Sequence, residues 1–346
     1  MKNVLLLLCG VAGLAALAEG TTSSELNAKW GKPGCVSFAD DRRGDPVATL
    51  SNKHGTCSVA LRGAKLSSWV PAGGEEVFFV PAAGIDCKVA NWQSWVHGGM
   101  PVVWPWFGSN GIPVEGWWAR KMREWGFSDR PAPCIHGFAR YSLFEVKDVV
   151  CGDDATRLKL RMIPREDSRE WFPHEYELDY EITLGKDLAL SLSTRNSGNG
   201  DFSIREGYHP YFKVANGYHT AVRGFDGRKY TWSNRKLEFD LTHVWEGDLP
   251  IGPGCDVFDM GAAASKTALL DPRMGRQIKL DATGGRDVLT CFFPVNPWAD
   301  RDENLLNTET KSTVCLEPAN FNQPVVVKAG ETHVFAMTIS VEKFEK

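Results

Sequence analysis

A strict alternation of polar and apolar residues constrains this chain more than any other feature. From Glu175 to Leu184, the apolar Tyr176, Leu178, Tyr180, Ile182 and Leu184 alternate with Glu175, Glu177, Asp179, Glu181 and Thr183. Side chains on a strand point to opposite faces with a period of two, so the run reads as a strand with one face on a core. Leu188, Leu190 and Leu192 repeat the pattern after Gly185-Lys186-Asp187, which predicts a hairpin. Leu158, Leu160 and Met162 form another such run, as do Phe335, Met337, Ile339 and Val341. Helical periodicity is weak throughout. Turn signals recur at 196–200, Asp226-Gly227, Gly252-Pro253-Gly254 and Gly284-Gly285. The expectation is an all-β protein, a large antiparallel β-sandwich. No Pro/Ser tract or internal repeat divides it, so residues 28–346 read as one domain.

The first residues follow a different rule. Lys2 precedes an uncharged apolar run, Val4 to Ala18, that ends in the small-x-small triplet Ala16-Leu17-Ala18. This is the pattern of a secretory signal peptide over 1–18, cut after Ala18. At roughly 15 residues the run is short of the about 20 that a membrane span needs. A lipoprotein signal fits less well, because Leu8 precedes Cys9 where a small residue is required. The expected location is therefore periplasmic or extracellular, with no membrane association after cleavage.

Nine cysteines are present; Cys9 falls in the leader, leaving Cys35, Cys57, Cys87, Cys134, Cys151, Cys255, Cys291 and Cys315. An even number in an exported chain permits disulfides and leaves their connectivity open. Cys315, in an apolar strand, reads equally well as a buried thiol. No C-x-x-C pair marks a zinc site. The formal net charge is −4 with both signs interspersed. No basic face or polybasic segment suggests nucleic acid or anionic lipid as a partner.

Three histidines stand in glycine-, proline- and aromatic-rich settings: His97 before Gly98-Gly99-Met100-Pro101, His136 before Gly137-Phe138, and His209 between Tyr208 and Pro210-Tyr211-Phe212. Such settings suit a concave site where backbone approaches a ligand. His54, His174, His219, His243 and His333 have ordinary neighbours. Glu317 follows the apolar Val314-Cys315-Leu316 and precedes Pro318, which reads as the strand's end. Buried there, it would be desolvated and raised toward the range of a general base; facing solvent, it would be an ordinary acid. Trp92, Trp95, Trp104, Trp106 and Phe107 offer flat faces that suit sugar rings and sandwich cores alike. The segment Gly111–Pro133, with Trp117, Trp118, Trp125 and several basic residues, reads either as a self-packed surface loop or as a sugar-stacking lid. No phosphate-binding glycine loop and no G-x-S-x-G elbow is present.

Six segments in order carry a family resemblance: Ala64-Lys65-Leu66-Ser67-Ser68-Trp69; Gly98-Gly99-Met100-Pro101 running into Trp104-Pro105-Trp106-Phe107-Gly108; His136 to Arg140; Glu206 to Phe212; Asn296-Pro297-Trp298; and Cys315 to Ala319. Together they resemble the glucose-6-phosphate 1-epimerases, a branch of the aldose 1-epimerases. The resemblance implies a galactose mutarotase-like supersandwich and interconversion of the α and β anomers of an aldose without metal or cofactor. It implies His209 as general acid and Glu317 as general base, expected to straddle the sugar ring. It also implies Asp256 as a sugar contact, His136 beside the substrate, and Arg140 as a ligand of the 6-phosphate.

Three departures bear on specificity. His97 stands where the family has an arginine that grips phosphate, Pro210 follows His209 where the family has Thr or Asn, and Val295 replaces a Trp. The first predicts a preference for unphosphorylated sugar. The partner is therefore a small-molecule sugar or sugar phosphate, acted on by a monomer. Two rival readings keep the fold: an exported sugar-binding protein without catalysis, and a glycoside hydrolase or lyase using Glu317 and Asp256 as its two carboxylates.

Overall fold

A computed structural model describes residues 21–84, 97–108, 135–233, 244–261, 265–295 and 306–344. The leader, the segment Gly111–Pro133, Cys87, Cys134, His243 and Asn296-Pro297-Trp298 lie outside these residues. No helix among the described residues is long and apolar enough to cross a membrane.

The alternating runs form one nine-stranded antiparallel sheet. Its spatial order is Leu249–Pro250, Ala221–Arg223, Ser265–Asp271, Arg276–Thr283, Thr332–Lys343, Leu188–Asn196, Tyr176–Leu184, Thr156–Met162 and Phe144–Cys151. The hairpin closes with Leu184 opposite Leu188. Leu178, Tyr180, Ile182 and Leu184 are fully buried, as their spacing requires.

Against this sheet packs a seven-stranded one. Lys229–Ser233, Gly254–Asp259, Asp287–Phe292, Thr313–Ala319, Gly207–Tyr208 and Val102–Val103 follow in order, and Tyr211–Lys213 also pairs with Thr313–Ala319. Tyr208 ties the two layers: its ring stacks on Phe335 at 4.9 Å and its hydroxyl donates to the Phe335 carbonyl at 3.0 Å. A four-stranded meander, Val36–Asp40 to Lys65–Pro71, adds Leu50, Val59, Leu66 and Trp69 to the same core. The architecture is the antiparallel sandwich expected from the sequence.

The strand Thr313–Ala319 is buried along its whole length, so both of its faces are covered. Val314 and Leu316 enter the main core between the sheets. Ala319 instead joins Val103, Phe107, Val257, Leu289 and Phe321 in a second, smaller cluster, and Cys315 packs with Phe79 and Tyr211. The seven-stranded sheet therefore has a core face and an outer face, and the outer face carries the site.

Weak periodicity conceals one α-helix among the described residues, Ser23–Trp30. Thr22 caps it and Glu25 reaches back to the Thr22 backbone. The signal for it is the local Thr-x-x-Glu capping box rather than an apolar stripe. Among the described residues two disulfides form, Cys35–Cys151 and Cys255–Cys291, while Cys57 and Cys315 are buried thiols.

Candidate active site

His209 lies between the short strands Gly207–Tyr208 and Tyr211–Lys213, where the ladder to Thr313–Ala319 is interrupted. The pairs Gly207–Ala319 and Tyr211–Cys315 bracket the break. Both prolines of the site, Pro210 and Pro318, fall within it, where a missing N–H is tolerated. Pro318 does not end the strand, contrary to the sequence reading; it pairs with Val288, and the strand continues to Ala319.

The glycine motifs hold the loops close to this break. The His209 N–H donates to the Pro101 carbonyl at 3.2 Å, and the Tyr211 N–H to the Gly99 carbonyl at 2.9 Å. Gly99 has φ +66°, and a Cβ there would lie 2.4 Å from the Leu66 carbonyl oxygen. Gly137, at φ +73°, crosses even closer; its Cβ would sit 1.9 Å from the Trp104 carbonyl oxygen. Only glycine permits both approaches. His136 shares the left-handed region at φ +61°. It is pinned there by two bonds with Gly108: its N–H donates to the Gly108 carbonyl at 2.7 Å, and its Nδ1 accepts the Gly108 N–H at 3.1 Å.

The result is a nest of rings around one carboxyl group. His209 stacks on Tyr211 at 4.9 Å and meets the edge of His136 at 5.4 Å. His97 meets the edge of Tyr211 at 5.5 Å, and Phe107 packs on His136 at 4.9 Å. His209 Nε2 lies 3.6 Å from Glu317 Oε1. Glu317 is 1% exposed, and neither of its carboxyl oxygens has a hydrogen-bond partner among the described residues. Burial without partners is costly for a carboxyl group unless a ligand completes it.

Electrostatics follows from that burial. Desolvation raises Glu317 well above the usual carboxylate range. Desolvation also pushes His209 down to about 3, helped by the positive potential of His97, Arg140 and Lys65. His136 is lowered well below an ordinary imidazole by burial, then by His209 and Arg140. Both shifts favour the uncharged forms, a protonated Glu317 beside a neutral His209 imidazole. Moving that proton to His209 yields the carboxylate and imidazolium implied by the resemblance, at the same proton count.

Two expectations change. A gap of 3.6 Å does not admit a pyranose ring between His209 and Glu317. The pair sits side by side and can address the two oxygens bonded to one anomeric carbon, rather than opposite edges of the ring. Asp256 is not brought to the pair. It stands opposite Thr290, which stands opposite Leu316, so these three share a face. Val257, Leu289 and Glu317 share the other. Asp256 thus projects to the core face with Phe258, and Cys255 occupies the outer face instead. The two carboxylates considered for glycoside hydrolysis are on opposite sides of one sheet.

Arg140 lies on the turn Ala139–Tyr141, its Nε donating to the Ile135 carbonyl at 3.0 Å and its guanidinium 3.9 Å from the Tyr141 ring centre. Lys65 was not singled out from the sequence, because a lysine at the start of a strand looks like a solvated residue. Its stem runs beside Gly99, where a Cβ would be 3.2 Å from Lys65 Cε. His333 was also passed over. It lies 2.6 Å from the fully buried Glu206, three residues before His209.

Known proteins share this arrangement of sheets. The sequence profile of the aldose 1-epimerase family matches residues 132–340, more than half of the chain. A Cenchrus ciliaris protein provisionally named glucose-6-phosphate 1-epimerase is 26% identical over 280 residues, covering 79% of this chain and 77% of the relative. An Escherichia coli protein of the same provisional name is 29% identical over 188 residues, 54% of each chain, so that match spans about half of the relative. In structure, the Salmonella typhimurium protein YeaD, described as a mutarotase on a provisional basis, superposes with a TM-score of 0.67 at 22% identity, covering 90% of this chain and 94% of that one. A galactose mutarotase-like protein from Clostridium acetobutylicum gives 0.65 at 13% identity, over 89% and 98% of the two chains, a likeness of fold alone. The profile match spans His136, Arg140, His209 and Glu317 within the sandwich that positions them, and the chain belongs to the aldose 1-epimerase family.

Proposed function

We propose that this protein is an isomerase that interconverts the α and β anomers of a hexose, with His209 and Glu317 as its proton-transfer pair. One observation carries the reading: a buried imidazole and a buried carboxyl group 3.6 Å apart, the carboxyl oxygens without partners among the described residues. In the reaction, the Glu317 carboxylate takes the proton of the anomeric O1–H while the His209 imidazolium protonates the ring oxygen. The C1–O5 bond opens, the C1–C2 bond rotates, and reclosure on the other carbonyl face gives the other anomer. Hydroxyl groups of the sugar donating to Glu317 favour its ionised form, which shifts the shared proton to His209 before the bond opens. Exchange NMR on glucose with purified protein tests the proposal. Interconversion should exceed the spontaneous rate in proportion to protein concentration. No enhancement with glucose, galactose or glucose 6-phosphate would refute it.

The sugar's C6 substituent is a finer question. Relatives bear the name glucose-6-phosphate 1-epimerase, and Arg140 and Lys65 add positive potential at His209. Arg140, however, has its Nε committed to the Ile135 carbonyl, and position 97 offers an imidazole in place of a guanidinium fork. The reading favoured is a preference for unphosphorylated sugar. His97→Arg should then raise kcat/KM for glucose 6-phosphate relative to glucose by roughly tenfold, the worth of one charge-assisted contact of about 1.4 kcal/mol. An unchanged ratio would detach position 97 from phosphate recognition.

Export is proposed as well, supported by the 1–18 pattern and by two disulfides among the described residues. N-terminal sequencing of protein recovered from the exported fraction should begin at Glu19.

A further inference from the structure

We propose that His209, Cys315 and Glu317 form a zinc-binding site, and that zinc bound there shuts off the anomerase. The metal site stands on its own geometry; the inhibition rests on the proposed function.

Cys315 and Glu317 are two residues apart on one strand, so both face outward from the core, and His209 faces them across the interrupted ladder. One ligand atom from each lies within 4.8 Å of the others, and all three residues are buried. Zinc binds nitrogen and oxygen at about 2.0–2.2 Å and sulfur at about 2.3 Å. At tetrahedral angles, two ligands at those lengths are about 3.4–3.6 Å apart. The observed Nε2–Oε1 separation is 3.6 Å, so imidazole and carboxyl already stand at the spacing zinc demands. The thiol needs to approach by about 1 Å at most, which a small side-chain rotation supplies. The two Glu317 oxygens supply the independent sign of a missing ligand, being buried and without partners among the described residues. Stacking on Tyr211 and the His136 edge hold the imidazole in place. Three protein ligands leave a fourth position for water, as in zinc sites with an open place.

Sequence spacing gave no hint of this, since the family of closely spaced cysteine motifs is absent. The site exists only because a strand pair brings positions 209 and 315–317 together. Zinc there occupies both members of the proton-transfer pair, so sugar and metal exclude each other.

Two readouts test the proposal. Cobalt(II) chloride, added to the oxidised full-length protein, reports metal binding by its tetrahedral visible bands and its thiolate charge-transfer band. Both should appear with the wild type and with Cys57→Ala, which alters the other described thiol. The thiolate band should vanish in Cys315→Ala. Zinc chloride should inhibit wild-type anomer exchange, with recovery on adding EDTA. Cys315→Ala and Cys315→Ser should keep their basal exchange and need about 10–100-fold more zinc for the same inhibition, at least the loss seen when a supporting residue of a metal site is removed. No thiolate band in the wild type, or equal zinc sensitivity in both Cys315 variants, overturns the proposal. If the wild type catalyses no exchange, the proposed function fails, and the cobalt spectra still decide the metal site.

Discussion

Glu317→Gln should lower catalysed anomer exchange by about 10²–10⁴-fold, the usual contribution of one positioned proton-transfer group. Glutamine keeps the shape of the side chain and removes its ability to take or give a proton. The fold should survive, because no described hydrogen bond is lost when neither carboxyl oxygen has a partner. Melting temperature should move little, since burial already disfavours the ionised carboxylate. The effect should therefore fall on kcat with KM nearly unchanged. Exchange NMR at saturating sugar, corrected for spontaneous mutarotation, measures it. A variant retaining more than a third of wild-type kcat would remove Glu317 from the chemistry.

The second large effect concerns stability. His333→Ala should cost about 3–5 kcal/mol, the penalty for leaving one member of a buried ion pair without its partner. Glu206 is fully buried, and its Oε1 lies 2.6 Å from His333 Nε2 and 3.4 Å from Asn320 Nδ2. His333 stands on the strand Thr332–Lys343 of the nine-stranded sheet, whereas Glu206 leads into Gly207–Tyr208 of the other sheet. The contact thus fastens the segment that presents His209.

The sign of the pH dependence follows from the pair. Burial pulls His333 down, but the hydrogen bond and charge of Glu206 outweigh it and hold the imidazolium above its ordinary pKa. Burial likewise raises Glu206, against the opposing pull of His333. A raised histidine contributes stability that is complete below its unfolded pKa of about 6.5 and is lost as pH rises through the folded value. A raised carboxyl has the same sign, beginning from about 4.3. Urea unfolding should therefore show wild-type stability falling from pH 6 toward pH 9, with a flatter slope in His333→Ala. Adding Glu206→Gln to that variant should restore part of the loss, because the orphaned charge is gone. Equal midpoints for wild type and His333→Ala at pH 6 would show that the pair does not hold the sheets together.

Much of this molecule was legible from residues alone. The alternation at 175–192 gives the hairpin and its buried face, because side-chain direction on a strand is a local property. The glycines at 99 and 137 mark close backbone crossings, because only a residue without Cβ fits there. The positions of His209 and Glu317 within their motifs could be found by resemblance, though not the distance between them. What local pattern could not supply was register. A shift of one residue between neighbouring strands sends a side chain to the opposite face, and that is the difference between Cys255 on the site face and Asp256 on the core face. The same long-range pairing chose which cysteines are joined, set His333 against Glu206, and placed the acid–base pair side by side rather than across a ring. The sequence by itself determined the strands, the turns and the chemical groups available; the tertiary structure decided which groups meet, since contacts between residues a hundred positions apart depend on how whole sheets pair and pack.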